Sequence, residues 1–90
     1  MSFIIDYHEL VKKKDIPKLS KDIRLRVKRD IEEKLVENPD FFGKPLRRSL
    51  KGYRKLRVGD YRIVFRIDGK VVKILAILHR SVVYKNFYRE

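Results

Sequence analysis

The chain has 90 residues, enough for one domain with one modest core. It carries 24 Lys and Arg against 12 Asp and Glu, a net charge of +12, with 43% apolar and 40% charged residues and no cysteine. Disulfides and thiolate metal sites are thereby excluded, and the periodic apolar residues argue for a folded globule rather than a disordered cation. Residues 1–43 hold ten Lys/Arg and nine Asp/Glu, whereas residues 44–90 hold fourteen and three. A nearly neutral half joined to a concentrated cation points to a polyanionic partner. Met1 to Asp6 lack the basic stretch and long apolar run of a signal peptide, and no apolar run reaches membrane-spanning length. A cytoplasmic protein without a membrane partner is expected.

In chain order, Phe3 to Tyr7 reads as a short strand with Phe3, Ile5 and Tyr7 on one face and Ile4 and Asp6 on the other. His8 to Lys18 can form a first helix, weakened near Pro17. Ser20 suits the N-cap of a second helix running to about Glu37. Leu19, Ile23, Val27, Ile31 and Leu35 recur every four residues and form its buried stripe. Asn38-Pro39 ends it. Residues 39–52, punctuated by Pro39, Gly43, Pro45 and Gly52, read as a loop that Phe41 and Phe42 tuck onto the core.

Three strands follow, Tyr53 to Val58, Tyr61 to Ile67 and Val71 to His79. Gly59-Asp60 and Asp68-Gly69 suit two-residue hairpin turns between them. The tail from Ser81 to Tyr88 reads as short helix or irregular chain. No repeat or linker is present, so residues 1–90 form a single α+β domain. Its N-terminal strand and three-stranded antiparallel meander make one sheet, with two helices on one face.

Two-residue turns fix a register. Val58 then faces Tyr61, Arg57 faces Arg62 and Lys55 faces Val64. Across the second turn Ile67 faces Lys70, Arg66 faces Val71, Val64 faces Lys73 and Arg62 faces Leu75. The core side then holds Leu56, Val58, Tyr61, Ile63, Phe65, Ile67, Val72, Ile74, Ala76 and Leu78. The other side holds Lys55, Arg57, Arg62, Arg66, Lys73 and His79, interleaved with Val64, Val71, Leu75 and Ile77. Arg57 opposite Arg62 is unfavourable by a few tenths to about 1 kcal/mol. A bound phosphate converts that repulsion into a clamp. The apolar residues of this side call for cover, either from Val82, Val83 or Phe87 in the tail or from a partner segment.

The basic half has only Asp60, Asp68 and Glu90 as carboxylates, and the chain has only two histidines, His8 and His79. No metal-ligand spacing, glycine-rich phosphate loop or nucleophile elbow is present, so neither a metal nor a cofactor is expected. Arg, Lys and Tyr suit RNA cleavage by the substrate's own 2′-hydroxyl, which needs strand orientation, charge stabilisation and proton transfer. Lys55, His79 and Tyr84 are all candidates for the proton transfer.

Leu50-Lys51-Gly52-Tyr53, Leu56-Arg57-Val58-Gly59-Asp60-Tyr61-Arg62-Ile63-Val64-Phe65 and His79-Arg80-Ser81-Val82-Val83-Tyr84 together resemble the RelE/ParE toxin superfamily. The β-α-α-β-β-β order matches as well. The resemblance implies the toxin of a type II toxin–antitoxin pair. RelE-like members act in the ribosomal A site and cut mRNA by the 2′-hydroxyl route. Carried over by motif, the catalytic residues are Lys55 for proton transfer, Arg57 and Arg62 on the scissile phosphate, Arg80 on the transition state, and Tyr84 for stacking or proton transfer. His79 is an additional candidate, and Arg54, Arg66 and Lys73 are candidate RNA or phosphate contacts. The resemblance also implies a RelB-like antitoxin that wraps the toxin. ParE-like members share the fold but inhibit DNA gyrase, and a non-catalytic RNA-binding module is a third reading.

Overall fold

Leu19, Ile23, Val27, Ile31 and Leu35 step by four residues, but an α-helix turns once per 3.6. Each step therefore drifts by about 40° around a regular helix, enough to carry the last residues off the buried stripe. The computed structural model, which describes residues 2–46 and 52–82, shows how the chain resolves this. Ser20 caps α1 (Lys21–Asp30), its hydroxyl accepting from Ile23 N–H at 3.3 Å. The helix then widens into a π-helical turn over Ile31–Leu35, where Val36 N–H reaches back to the Ile31 carbonyl at 3.2 Å. The wider turn takes up the drift, and both Ile31 and Leu35 stay buried. The segment before α1 is irregular in the same way. A π-helical turn over Val11–Asp15 passes into a 3-10 turn over Ile16–Lys18 at Pro17, so the first expected helix forms over 9–18 but tightens where proline removes a donor.

Five strands form one sheet in the order β1-β5-β4-β3-β2. These are β1 (Ile4–Tyr7), β2 (Lys44–Pro45), β3 (Arg54–Val58), β4 (Tyr61–Asp68) and β5 (Val71–His79). β1 runs parallel to β5, and the other neighbours are antiparallel. The helical segments cover one face, giving the expected α+β arrangement.

The stretch expected to be a loop holds more structure than the sequence suggested. Pro39–Phe42 form a single turn of helix, α2, and Lys44–Pro45 add the edge strand β2 to β3. Phe42 packs on the core, but Phe41 does not tuck in. It is 81% exposed and meets Phe42 edge-on at 5.0 Å. Gly43 lies directly against the fully buried Phe65 ring, where a Cβ would overlap ring atoms Cζ and Cε1. Gly43→Ala is expected to cost about 1–3 kcal/mol through overpacking. In a domain of this size, each kcal/mol lowers the melting temperature by about 4–8 °C. A thermal melt unchanged from wild type would mean that Phe65 yields freely.

The first hairpin has the expected register, with Val58 facing Tyr61, Arg57 facing Arg62 and Lys55 facing Val64. The second differs. Its turn is Gly69-Lys70, with Gly69 at φ 61°, and Asp68 is a strand residue facing Val71. Ile67 faces Val72 and Arg66 faces Lys73, which leaves face membership unchanged near the turn. Between Phe65↔Ile74 and Val64↔Ala76, however, β5 holds one residue more than β4. This β-bulge at Leu75 inverts the alternation beyond it. Ile77 thereby joins the helix-covered core with Leu56, Ile63, Phe65, Val72 and Ile74. Ala76 and Leu78, expected in that core, turn to the opposite face, where Ala76 is buried with Tyr53, Val64 and Leu75 against Leu46 and Leu78. Asp15, itself buried, reaches the strand here and accepts from Ile77 N–H at 3.0 Å, beyond the point where β1 stops.

Candidate nucleic-acid interface

Alternation from the two hairpins assembles one basic face. β3 contributes Lys55 and Arg57, β4 contributes Arg62 and Arg66, and β5 contributes Lys73. Lys44 on β2 lies opposite Lys55 and extends the row of cations. At the hairpin end the tight Gly59-Asp60 turn leaves no slack, so Arg57 and Arg62 must share a position across the strands. Arg57 is exposed, its Nε donating to the Gly59 carbonyl at 3.1 Å. Arg62 is half-buried, and its Nη1 is fully buried with no hydrogen-bond partner among the described residues. A buried donor left unsatisfied costs about 1–3 kcal/mol, more when it is charged. The facing guanidiniums of Arg57 and Arg62 repel each other, and an anion between them would offset that repulsion.

The bulge decides what reaches this end from β5. It sends His79 to the helix-covered side, facing Tyr61, where the two rings meet edge-on at 5.3 Å. His79 Nδ1 lies 2.8 Å from Ser81 Oγ and accepts from Ser81 N–H at 3.2 Å. As a member of the basic face His79 is therefore corrected: the shifted alternation removes it from the Arg57–Arg62 side. Arg80 follows on the turn beyond β5. Its N–H bonds the Asp60 carbonyl at 2.7 Å, and its Nε lies 3.8 Å from Asp60 Oδ1. Asp60 thus ties Arg80 to the turn that carries Arg57 and Arg62.

Arg54, a candidate RNA contact, lies apart from this face. It shares the core-side alternation of Leu56 and Val58, and its guanidinium bonds the Gly43 carbonyl at 3.1 Å and Asp40 at 3.7 Å. It is held to the α2 turn on the opposite face from Arg57. Arg66 and Lys73 do lie on the basic face, facing each other at its far end. Lys73 also pairs with Asp68 at 3.4 Å. Tyr84, with Val83, Phe87, Leu50 and Lys51, lies outside the described residues.

Among the described residues no three His, Asp or Glu side chains gather as metal ligands, and no helix is long and apolar enough to cross a membrane. Burial, and Glu32 nearby, push the Tyr7 hydroxyl above its ordinary range, but Tyr7 packs on the helix side of β1 and not on the basic face.

A basic sheet face backed by helices, with arginines clustered at one hairpin, defines a small cationic α+β module. Residues 5–84 match the family model of the ParE toxin of type II toxin–antitoxin systems. RelE3 of Methanocaldococcus jannaschii is 34% identical over 77 residues, 82% of this chain and 88% of that protein. Toxin RelE of Mycobacterium tuberculosis is 45% identical over 53 residues; the match spans 57% of this chain and just 55% of that relative. Among solved structures, the M. tuberculosis RelBE2 toxin–antitoxin complex superposes with a TM-score of 0.80 at 33% identity, covering 89% of this chain and all of that one. The intact E. coli RelBE complex gives 0.71 at 27% identity, covering 87% and 96%. The chain belongs to the RelE/ParE toxin superfamily.

Proposed function

We propose that this chain is the toxin of a type II toxin–antitoxin pair and a metal-independent, ribosome-dependent mRNA endonuclease. The observation that carries the reading is Arg57 facing Arg62 across the first hairpin. The two guanidiniums hold the scissile phosphate in a fork and offset the charge that builds as the substrate's 2′-hydroxyl attacks it. The bond from that phosphorus to the 5′-oxygen of the next nucleotide breaks. This leaves a 2′,3′-cyclic phosphate on one product and a 5′-hydroxyl on the other. In this reading Lys55, one pleat from Arg57, moves a proton, and Arg80, tied to Asp60, adds its charge from the turn beyond β5. Tyr84 keeps the stacking or proton-transfer role that the family motif gives it.

The work of the protein is to align the 2′-oxygen, phosphorus and leaving oxygen, and the ribosome helps by presenting the mRNA extended in the A site. The partner held in the cell is a RelB-like antitoxin, the arrangement seen in the M. tuberculosis and E. coli relatives. Its setting is the cytoplasm, where ribosomes translate.

Toeprinting on translating ribosomes is expected to show cuts within A-site codons, with cyclic phosphate ends. Intact mRNA at saturating toxin would sink the reading. A second reading, inhibition of DNA gyrase, is favoured by the match to a ParE model. Loss of supercoiling by purified gyrase, without RNA cleavage, would select it. Binding alone decides nothing, because any face this basic binds nucleic acid with steep salt dependence.

A further inference from the structure

The Gly59-Asp60 turn gathers guanidiniums from three elements far apart in the sequence. Arg57 on β3 donates from Nε to the Gly59 carbonyl at 3.1 Å. Arg80, beyond β5, holds its Nε 3.8 Å from Asp60 Oδ1. The third is Arg26 on α1, a residue outside the motif that carries the family resemblance. Val27 is buried in the core with Leu56 and Val58, which sets the preceding Arg26 on the flank of α1 beside the hairpin end. Arg26 Nη1 lies 3.1 Å, and its Cζ 3.6 Å, from the point that a Cβ on Gly59 would occupy. The bare glycine, at φ 60°, leaves room for the head group.

Two arginines therefore lie against one residue from opposite sides of the sheet, Arg57 from the basic face and Arg26 from the helix-covered face. The turn has one carboxylate, Asp60, and Arg80 already faces it. Three cations around one anion repel, weakly because solvent screens them. Arg26 is exposed, and a guanidinium resting on a backbone glycine gains only a few dispersion contacts in return. An anion at the rim of the turn reverses this balance, because guanidiniums hold phosphate oxygens through paired, charge-assisted bonds.

A strand whose scissile phosphate lies in the Arg57–Arg62 fork has two ways to leave it. One runs along the basic face toward Arg66 and Lys73. The other crosses the rim at Gly59, where no side chain stands between Arg57 and Arg26. We propose that Arg26 binds the phosphate next to the scissile one, so that the RNA bends over the Gly59-Asp60 turn onto the flank of α1. The role of this second phosphate site rests on the RNA-cutting reading; its place rests on the geometry of the turn.

Short 2′-deoxy oligonucleotides without terminal phosphates, which bind but cannot be cut, test it. A dinucleotide brings one phosphate, enough for the fork; a trinucleotide brings a second for Arg26. The intact protein is expected to bind the trinucleotide on the order of tenfold more tightly. The log–log salt slope of that affinity should be steeper by about 0.7, the value for one single-strand phosphate. Arg26→Gln should remove both gains and leave dinucleotide binding and the thermal melt near wild type. Arg26→Lys, which keeps the charge, should recover the slope. Lys28→Gln, on the opposite flank of α1, controls for net charge. Equal binding of the two oligonucleotides overturns the site, as does an equal loss in Lys28→Gln. So does a lowered melt in Arg26→Gln with binding unchanged. Weaker cutting on ribosomes with unchanged oligonucleotide binding places Arg26 on ribosomal RNA instead and also overturns it. If wild type cuts no RNA yet Arg26→Gln loses the trinucleotide gain, the endonuclease reading falls and the site stands. If Arg26→Gln cuts and binds as wild type does, the site falls and the endonuclease reading stands.

Discussion

Arg62→Ala is expected to abolish mRNA cleavage while leaving the protein at least as stable as before. The two effects have one cause. Arg62 holds a buried nitrogen with no hydrogen-bond partner among the described residues and faces a like charge, Arg57. Its removal relieves about 0.2–1 kcal/mol of cross-strand repulsion and the desolvation of an unsatisfied donor. Against this stands the loss of the packing its alkyl stem makes on the sheet, so Arg62→Met, which keeps the stem, gives the cleaner rise in melting temperature. On the activity side, deleting a donor aimed at developing charge typically costs about 10²–10³ in rate. Arg62→Lys should recover little, because an ammonium cannot form the planar fork. Single-turnover cleavage and thermal melts on the same preparations check both halves. An Arg62→Met protein that melts well below wild type would show that the arginine serves the fold. One that cuts at the wild-type rate would remove Arg62 from the site.

The contrast between the two hairpins shows what can be read from sequence. Gly59-Asp60 sits between strands whose apolar residues alternate cleanly, Leu56 and Val58 on one side of the turn and Tyr61, Ile63 and Phe65 on the other. Only one register satisfies both, and Arg57 opposite Arg62 follows. In β5 the run Ile74-Leu75-Ala76-Ile77-Leu78 is apolar throughout. A period of two has no phase there, and a bulge leaves no local mark. The same ambiguity misplaced Ala76, Leu78 and His79 together, since a single extra residue moves them all. Arg54 is a different case. Its parity with Leu56 and Val58 already puts it on the helix side, apart from the other candidate contacts Arg66 and Lys73. The two-residue β2 has no periodicity to detect, and the four-residue spacing of the α1 stripe marked a departure from helical geometry that only the π-helical turn made concrete.

Asp15→Ala is expected to do the reverse of Arg62→Ala, harming the fold first and the site through it. Asp15 lies outside the basic face, at 7% exposure. Its carboxylate takes the Ile77 N–H at 3.0 Å on the edge of β5 that β1 is too short to cover. Without it a buried backbone donor is orphaned, a loss of about 1–3 kcal/mol, and the melting temperature should fall by about 4–8 °C for each. The consequence for function follows from position. Ile77 is the first core residue after the bulge, and the strand beyond it leads through His79 to Arg80, which meets Asp60 at the Arg57–Arg62 turn. A looser β5 end widens the range of positions open to Arg80, and displacements of about 1 Å near a reacting phosphate can cost 10²-fold in rate. Asp15→Ala should therefore lower the turnover of bound substrate more than it weakens binding. Asp15→Asn, which keeps an acceptor oxygen, should recover part of both losses. Amide hydrogen exchange locates the effect: protection of Ile77 should drop in Asp15→Ala while that of Arg62 stays near wild type. Unchanged protection at Ile77 would detach Asp15 from the bulge, and equal loss at both amides would make the effect global rather than a release of the strand end.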